Sequence, residues 1–362
     1  MKSSNCFTVV AISLNILVLL SGCSKTSTNT NNPPPITPVD TPVVANVPDI
    51  YAAGRINLNG LSYAAYWKNN QLVKLSDTSS EGDHIMVVGT DVYVSGNGGF
   101  ANRACYWKNG VFTSLYHGNS QEYTSAMCSS GQDVYIAGSG LNTTNEVAEY
   151  WKNGQAVVMK PDSEYAVASG IAVSGADVYL VGYEYTIPNN PQAILWKNGT
   201  ATRLTNNSHL SMATGIFIQG TDIYVCGVED DHTDSFQVAK YWKNGIATAL
   251  SDSTSCSFAH SIFVSGNDVY VSGFQHPGTI LHSTGPGIAT YWKNGVATKL
   301  FDGSSSTDAY TILFSNSDVY SAYYNSANTG ASSIPSYLKN KIPQMINAGS
   351  SVYGVVSDVF IK

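Results

Sequence analysis

From residue 49 onward the chain is a succession of short runs dominated by β-branched and aromatic residues, separated by Gly, Asn, Asp and Ser, and no stretch holds a helical period. One stretch shows the unit. Ser261-Ile262-Phe263-Val264 is followed by Asp268-Val269-Tyr270-Val271, then Ala289-Thr290-Tyr291-Trp292, then Val296-Ala297-Thr298-Lys299-Leu300. Between the last two runs stands Asn294-Gly295, which predicts a two-residue hairpin, because a type I′ turn needs positive φ at both central residues. Each unit thus predicts four strands. Their apolar residues fall on both faces, as expected of a sheet covered on both sides.

The unit recurs. Tyr66-Trp67-Lys68-Asn69-Asn70 returns around Trp107, Trp151, Trp196, Trp242 and Trp292 with Asn-Gly at its end, and in degraded form as Tyr337-Leu338-Lys339-Asn340-Lys341. All six tryptophans of the chain sit in this motif. A second anchor, Asp followed by Val or Ile and then Tyr, begins at Asp49, Asp91, Asp133, Asp177, Asp222, Asp268 and Asp318, at spacings of 42, 42, 44, 45, 46 and 50 residues. That period is the length of a four-stranded propeller blade. Seven anchors predict an all-β, seven-bladed β-propeller over residues 49–362.

A ring of blades must close without leaving an open sheet edge. The first unit begins at Asp49 on what is the second strand elsewhere, and Val359-Phe360-Ile361-Lys362 resembles the first-strand run Ile262-Phe263-Val264-Ser265. The C-terminal strand is therefore expected to complete the first blade. Val43-Val44-Ala45 is the alternative inner strand.

Before the repeats, Lys2 leads into an apolar run, Phe7 to Leu20, with the layout of a secretory signal over residues 1–22. Leu20-Ser21-Gly22-Cys23 resembles the lipobox of bacterial lipoproteins, which implies lipidation at Cys23 and a membrane anchor without a transmembrane span. Residues 23–48, rich in Ser, Thr, Asn and Pro, read as a flexible tether. The expected location is the cell envelope, on the outer membrane. No acidic run follows Cys23, a feature that would suggest surface export in lipoproteins of Bacteroidota-like bacteria, so the periplasmic and surface-facing sides both stay open.

The formal charge is −7, and loss of Lys2 with the signal makes it −8. An acidic chain with only 12% charged residues and no basic cluster argues against a nucleic-acid partner. Of the cysteines left after Cys23, Cys226 and Cys256 could meet in an oxidising compartment, while Cys105 and Cys128 read as buried thiols.

The Ala-x-Tyr-Trp-Lys-Asn-Gly units resemble the extracellular propeller-type repeats of the HAF family, with its Ala-Phe-Leu-Trp-x-Asn-Gly pattern, and those of related bacterial propeller lipoproteins. The resemblance covers residues 49–362 and departs at Asn70, Leu338 and Lys341. It implies a fold and an extracytoplasmic setting. It implies no catalytic residue.

Residues that occur once per blade, among them the six tryptophans, the motif lysines and the anchoring aspartates, suit packing and turn chemistry rather than a single site. Each aspartate is expected to bond backbone amides in the turn between the first two strands. From each anchor to its own Trp position the distance varies over 18, 16, 18, 19, 20, 24 and 20 residues, whereas from Trp to the next anchor it is 24 once and 26 five times. Length variation is thus concentrated between the second and third strands, on one face of the ring, and that loop-rich face is the expected binding surface. Tyr183, Glu184 and Tyr185, with Tyr323 and Tyr324 in blade seven, are candidates for stacking on a sugar, the plainer reading being rim packing. His276 and His282 lie in the longest loop, which reads first as a solvent-facing segment. Glu229, Asp230, Asp231 and Asp234 could hold Ca²⁺ but match no EF-hand spacing, so a solvated acidic loop is the first reading and no cofactor is expected. His84, His209 and His260 fall at different offsets in their repeats, against a common metal centre.

Three functions stand open: a non-catalytic module that binds a glycan or protein, a structural component of an envelope complex, and a propeller hydrolase or lyase. Binding comes first because no serine elbow, phosphate loop or paired acid motif is present. The structural reading comes second and the enzyme third, an order that roughly four nearly convergent acidic or His side chains around the channel mouth would reverse.

Overall fold

The computed structural model describes residues 48–362, apart from 100–102, 118–121, 142–144, 160–164, 188–189, 207–208, 231–236, 253–254, 278–284, 316, 329–333 and 347–352. Seven antiparallel sheets follow one another as the blades of a β-propeller. The first is completed by the C-terminal strand, Tyr353–Ile361, which pairs with Ile50–Leu58; Leu61–Lys68 and Gln71–Lys74 follow outward. Asp49 and Lys362 exchange backbone hydrogen bonds at 3.0 and 2.9 Å, so the two ends of the ring are joined in one ladder. Cys23 and Val43-Val44-Ala45 lie outside the described residues. Among the described residues no helix is long and apolar enough to cross a membrane.

The blades pack face to face, and each of the seven seams has its own apolar cluster. Trp196, for example, leaves blade four to pack with Cys128, Tyr135 and Ala148 of blade three. All six tryptophans are at most 1% exposed, and in blade seven Leu338 takes the equivalent place.

The Asn-Gly turns adopt the predicted geometry, with φ of 51° at Asn109 and 82° at Gly110. Where glycine is replaced, Asn70 and Lys341 take φ of 68° and 70°, so the turn is kept without it. The anchoring aspartates do something other than expected. Asp91 Oδ1 accepts a hydrogen bond from the Asn109 side chain at 2.8 Å and Oδ2 pairs with Lys108 at 2.7 Å, while Asn109 Oδ1 accepts the Val92 amide. The asparagine carries the backbone contact, and the aspartate clasps the next turn. The clasp recurs in all seven blades, from Asp49–Lys68 to Asp318–Lys339.

In six of the seven blades a glycine in the second strand shapes the inner strand. A Cβ on Gly96 would lie 2.0 Å from the Glu81 carbonyl oxygen, and Gly54, Gly138, Gly182, Gly227 and Gly273 show the same approach to the inner strand. Opposite each of these the inner strand carries a register shift. Blade seven has Tyr323 in this place, paired with Ala309. There the inner strand is broken into Thr307–Ala309 and Leu313–Ser315, as the added side chain requires.

Replacing Trp196 with Ala should cost roughly 3–5 kcal/mol, as for a large buried side chain. Urea denaturation measures it, and a loss under about 1 kcal/mol would place the seam cluster outside the cooperative core.

Candidate functional site: where the repeat is broken

Because a residue repeated in every blade serves the ring, a site is sought where blades differ. The seams offer the reference. Ala64, Ala193, Ala239 and Ala289 donate their backbone N–H to the hydroxyls of Ser80, Ser211, Ser257 and Thr307 at the start of the next blade, at 2.9, 3.0, 2.8 and 2.8 Å. At the blade-seven seam Pro335 has no N–H to give. The two remaining places hold Glu122 and Ala166, on either side of blade three.

Blade three also carries two buried acids on its third strand, Glu146–Lys152. Glu149 is on the side of blade two, with Glu122 and with His117 from the connection between the blades: His117 Nδ1 is 3.3 Å from Glu122 Oε1 and Nε2 is 3.4 Å from Glu149 Oε2. Burial, then repulsion from Glu122, pushes Glu149 up to about 8. Glu146 is on the side of blade four. Burial raises its pKa, the Tyr165 hydroxyl beside it acts against that rise, and its Oε1 is buried without a hydrogen-bond partner among the described residues. Tyr165 stands edge-on to Tyr185 at 4.7 Å, and Tyr183 lies 5.9 Å from Tyr185. Burial, then Glu146, pushes Tyr183 up to about 12.

Around the inner strands, a second departure follows the register shifts. Ser125 and Thr214 there donate their hydroxyls to Ala168 O and Ala259 O of the next blade, both at 2.7 Å. Asp83, His260 and Tyr310 stand in the same place in blades two, six and seven. His260 Nε2 meets Asp308 Oδ2 at 2.8 Å, its ring between Phe258 and Tyr310 at 4.8 and 5.9 Å, and Arg55 meets Glu81 at 2.7 Å. Burial and Glu81 push Asp83 up to about 7, against the pull of Arg55. Burial pushes Asp358 up to about 7 and His84 down to about 4, with 3.9 Å between them. Arg55 with Glu81, His84 with Asp358 and His260 with Asp308 form pairs between neighbouring blades, so His84 and His260 belong to separate pairs.

The candidates read from the sequence meet mixed placements. Tyr183 and Tyr185 come together; Glu184 is buried on the opposite face of their strand. Tyr323 is buried and its hydroxyl lies 2.7 Å from that of Ser336, which is rim packing, while Tyr324 is 37% exposed. His276 lies at the end of Asp268–Pro277, its Nδ1 3.3 Å from Pro277 O, and His282 lies outside the described residues. In the acidic loop Glu229 is held by Lys240 at 2.6 Å, Asp230 ends the strand, and Asp231 and Asp234 lie outside the described residues. Cys105, Cys128, Cys226 and Cys256 are buried thiols in no disulfide, so Cys226 and Cys256 are not bridged. His117, Glu122, Glu146, Glu149 and Tyr165 were not singled out from the sequence. A signal was present: two residues before the Trp position the blades carry Ala65, Cys105, Ile194, Lys240, Thr290 and Ser336, against Glu149.

No family model and no curated protein matches the chain. Among solved structures it is similar to a puromycin-hydrolyzing peptidase of Mycobacterium tuberculosis, at 8% identity and a TM-score of 0.53, over 81% of this chain and 51% of that one. An acylaminoacyl peptidase of Pyrococcus horikoshii (9% identity, TM-score 0.41, 74% and 48% covered) and TolB of Acinetobacter baumannii (12%, 0.37, 62% and 60%) superpose more loosely. The chain spans about half the length of the peptidases, and the likeness at these identities is one of fold alone.

Asp83 gives a pH prediction. Its folded pKa is raised, so its contribution is full below the unfolded value near 4 and is lost as pH rises through about 7. Between pH 5 and pH 8 the wild type should lose more of its melting temperature than Asp83→Asn; parallel profiles would contradict a buried, proton-holding Asp83.

Proposed function

We propose that this chain is a lipid-anchored, extracytoplasmic propeller that binds a ligand without chemistry, through the loop-rich face where blade three meets blade four. The observation that carries the reading is the group of Tyr165, Tyr183 and Tyr185 beside Glu146, whose buried Oε1 has no hydrogen-bond partner among the described residues. Tyrosine rings stack on the apolar face of a sugar, and a buried carboxylate oxygen is an acceptor for a sugar hydroxyl. A glycan is therefore the ligand class this seam fits, and a glycan-bearing protein would present the same chemistry. The lipid anchor rests on Leu20-Ser21-Gly22-Cys23, and the tether lifts the ring from the membrane, in keeping with an envelope location.

A second reading, a structural part of an envelope complex, has its own support. On the outermost strands of blades five, six and seven, Ile246, Val296, Ile342 and Met345 are 75, 70, 63 and 68% exposed. Apolar side chains on three successive blades suit docking to a partner.

Titration of the full-length protein with glycans that bind it on an array tests both. Glu146→Gln and Tyr183→Ala should each weaken binding roughly tenfold, about 1.4 kcal/mol, with the isosteric Gln variant keeping the wild-type fold. Binding untouched by either change would remove the ligand from this seam. Absence of any glycan, with a protein partner lost on Ile246→Asp, would establish the second reading instead.

A further inference from the structure

The seam between blades two and three has no use in that reading, yet it departs from the repeat more sharply than any other. In place of a seryl hydroxyl it holds two carboxylic acids and an imidazole. The Glu122 and Glu149 side chains are each 1% exposed, and three of their four oxygens lack a hydrogen-bond partner among the described residues. The fourth, Glu122 Oε1, has among the described residues the long 3.5 Å contact from the His117 amide and the 3.3 Å approach of the His117 ring. Space has been made for them: between the two acids the second strand has Gly140, where a Cβ would lie 2.7 Å from Glu149 Oε1.

Two buried carboxylates side by side repel, and a group left unpartnered in the interior carries its full desolvation cost. The Arg103 guanidinium lies over the Tyr116 ring at 3.6 Å and makes no ion pair with either acid among the described residues. His117 is the group placed to answer both. It packs edge-on to Trp151 at 6.5 Å, and its side chain is 37% exposed, so the cluster has a route to solvent on that side.

We propose that His117, Glu122 and Glu149 form a divalent metal site, with Zn²⁺ as the ion their chemistry fits. One ring nitrogen and one oxygen from each acid all lie within 4.8 Å of one another. In a tetrahedral zinc site, with ligands at about 2.0–2.2 Å, neighbouring ligand atoms stand about 3.3 Å apart, which the 3.3 and 3.4 Å contacts already match pairwise. Closing on one ion requires a single ring nitrogen to face both acids, a small turn of a half-exposed side chain. Three protein ligands leave a fourth position for water on the solvent side. A nitrogen ligand and so few oxygens disfavour Ca²⁺, which takes six to eight oxygens. The ion replaces the missing hydrogen bonds, neutralises the repulsion, and ties the second blade to the third at the place where the seryl staple is absent. The competing occupant is a proton: an imidazolium between two carboxylates would make a metal-free clasp.

Isothermal titration of tag-free, EDTA-treated full-length protein with ZnCl₂, MnCl₂ and CaCl₂ at pH 7.5, with thermal unfolding alongside, separates the two. The site predicts one Zn²⁺ per chain, proton release on binding, and a raised melting temperature. His117→Ala and Glu149→Gln should each weaken Zn²⁺ binding by about a hundredfold or more, by analogy with the lesser cost of losing an outer partner, while His276→Ala leaves it unchanged. His117→Ala alters a half-exposed side chain and Glu149→Gln removes a buried charge, so circular dichroism should show both folded. Zn²⁺ binding that survives both variants, or its absence at millimolar metal, would overturn the site.

Discussion

Every blade of this protein is a sheet with apolar residues on both faces, and such a sheet is stable only while a neighbour covers each side. That single requirement makes the ring obligatory. It explains why the chain returns at Tyr353–Ile361 to complete a blade begun at Ile50, and why the two ends lie in one ladder. It also explains the tryptophans, each carried across a seam into the cluster of the preceding blade. The Asp–Lys–Asn clasp works at a different level. It is exposed, so as an ion pair it is screened; its effect is to hold two turns of one blade in register while burial across the seams supplies the stability.

Against a sevenfold background, chemistry shows as asymmetry. Small hydroxyls tie blade to blade at four seams and Glu122 stands in that place at another, while around the inner strands Asp83, His260 and Tyr310 stand where other blades carry Ser125 or Thr214. Such replacements work against the fold, because a buried carboxylate without partners is less stable there than a hydrogen-bonded serine. Functional sites are where a protein keeps local arrangements of that kind. Blade three carries two of them on one strand, Glu146 toward blade four and Glu149 toward blade two, and so serves two seams with separate chemistries.

Much of the fold was legible in the sequence because its causes are local or periodic. The Asn-Gly turn has a backbone requirement that only a few residues meet, the anchor spacing counts the blades, and Val359-Phe360-Ile361-Lys362 matches the inner-strand run that the first blade lacks. The aspartate was misassigned because either it or the asparagine could bond the nearby amide, and only the hairpin geometry decides that Asn109 reaches Val92. The broken inner strand of blade seven was written in the change from glycine to Tyr323, but its meaning depends on how closely the two strands approach at that point. The candidate site was legible by half. Tyr183 and Tyr185 stand two apart on one strand, so their shared face follows from the pleat; His117 meets Glu149 only because two blades pack, and no local pattern encodes that.

The central claim is that the residues breaking the repeat are kept at the expense of stability. Thermal unfolding of a chain returned to the repeat at one seam, Glu122→Ser with Glu149→Thr, tests it most directly. In metal-free buffer at pH 8 the restored chain should melt above the wild type and should no longer respond to Zn²⁺. A restored chain that melts below the wild type would show that the two acids are part of what holds the ring together, and the claim would fail.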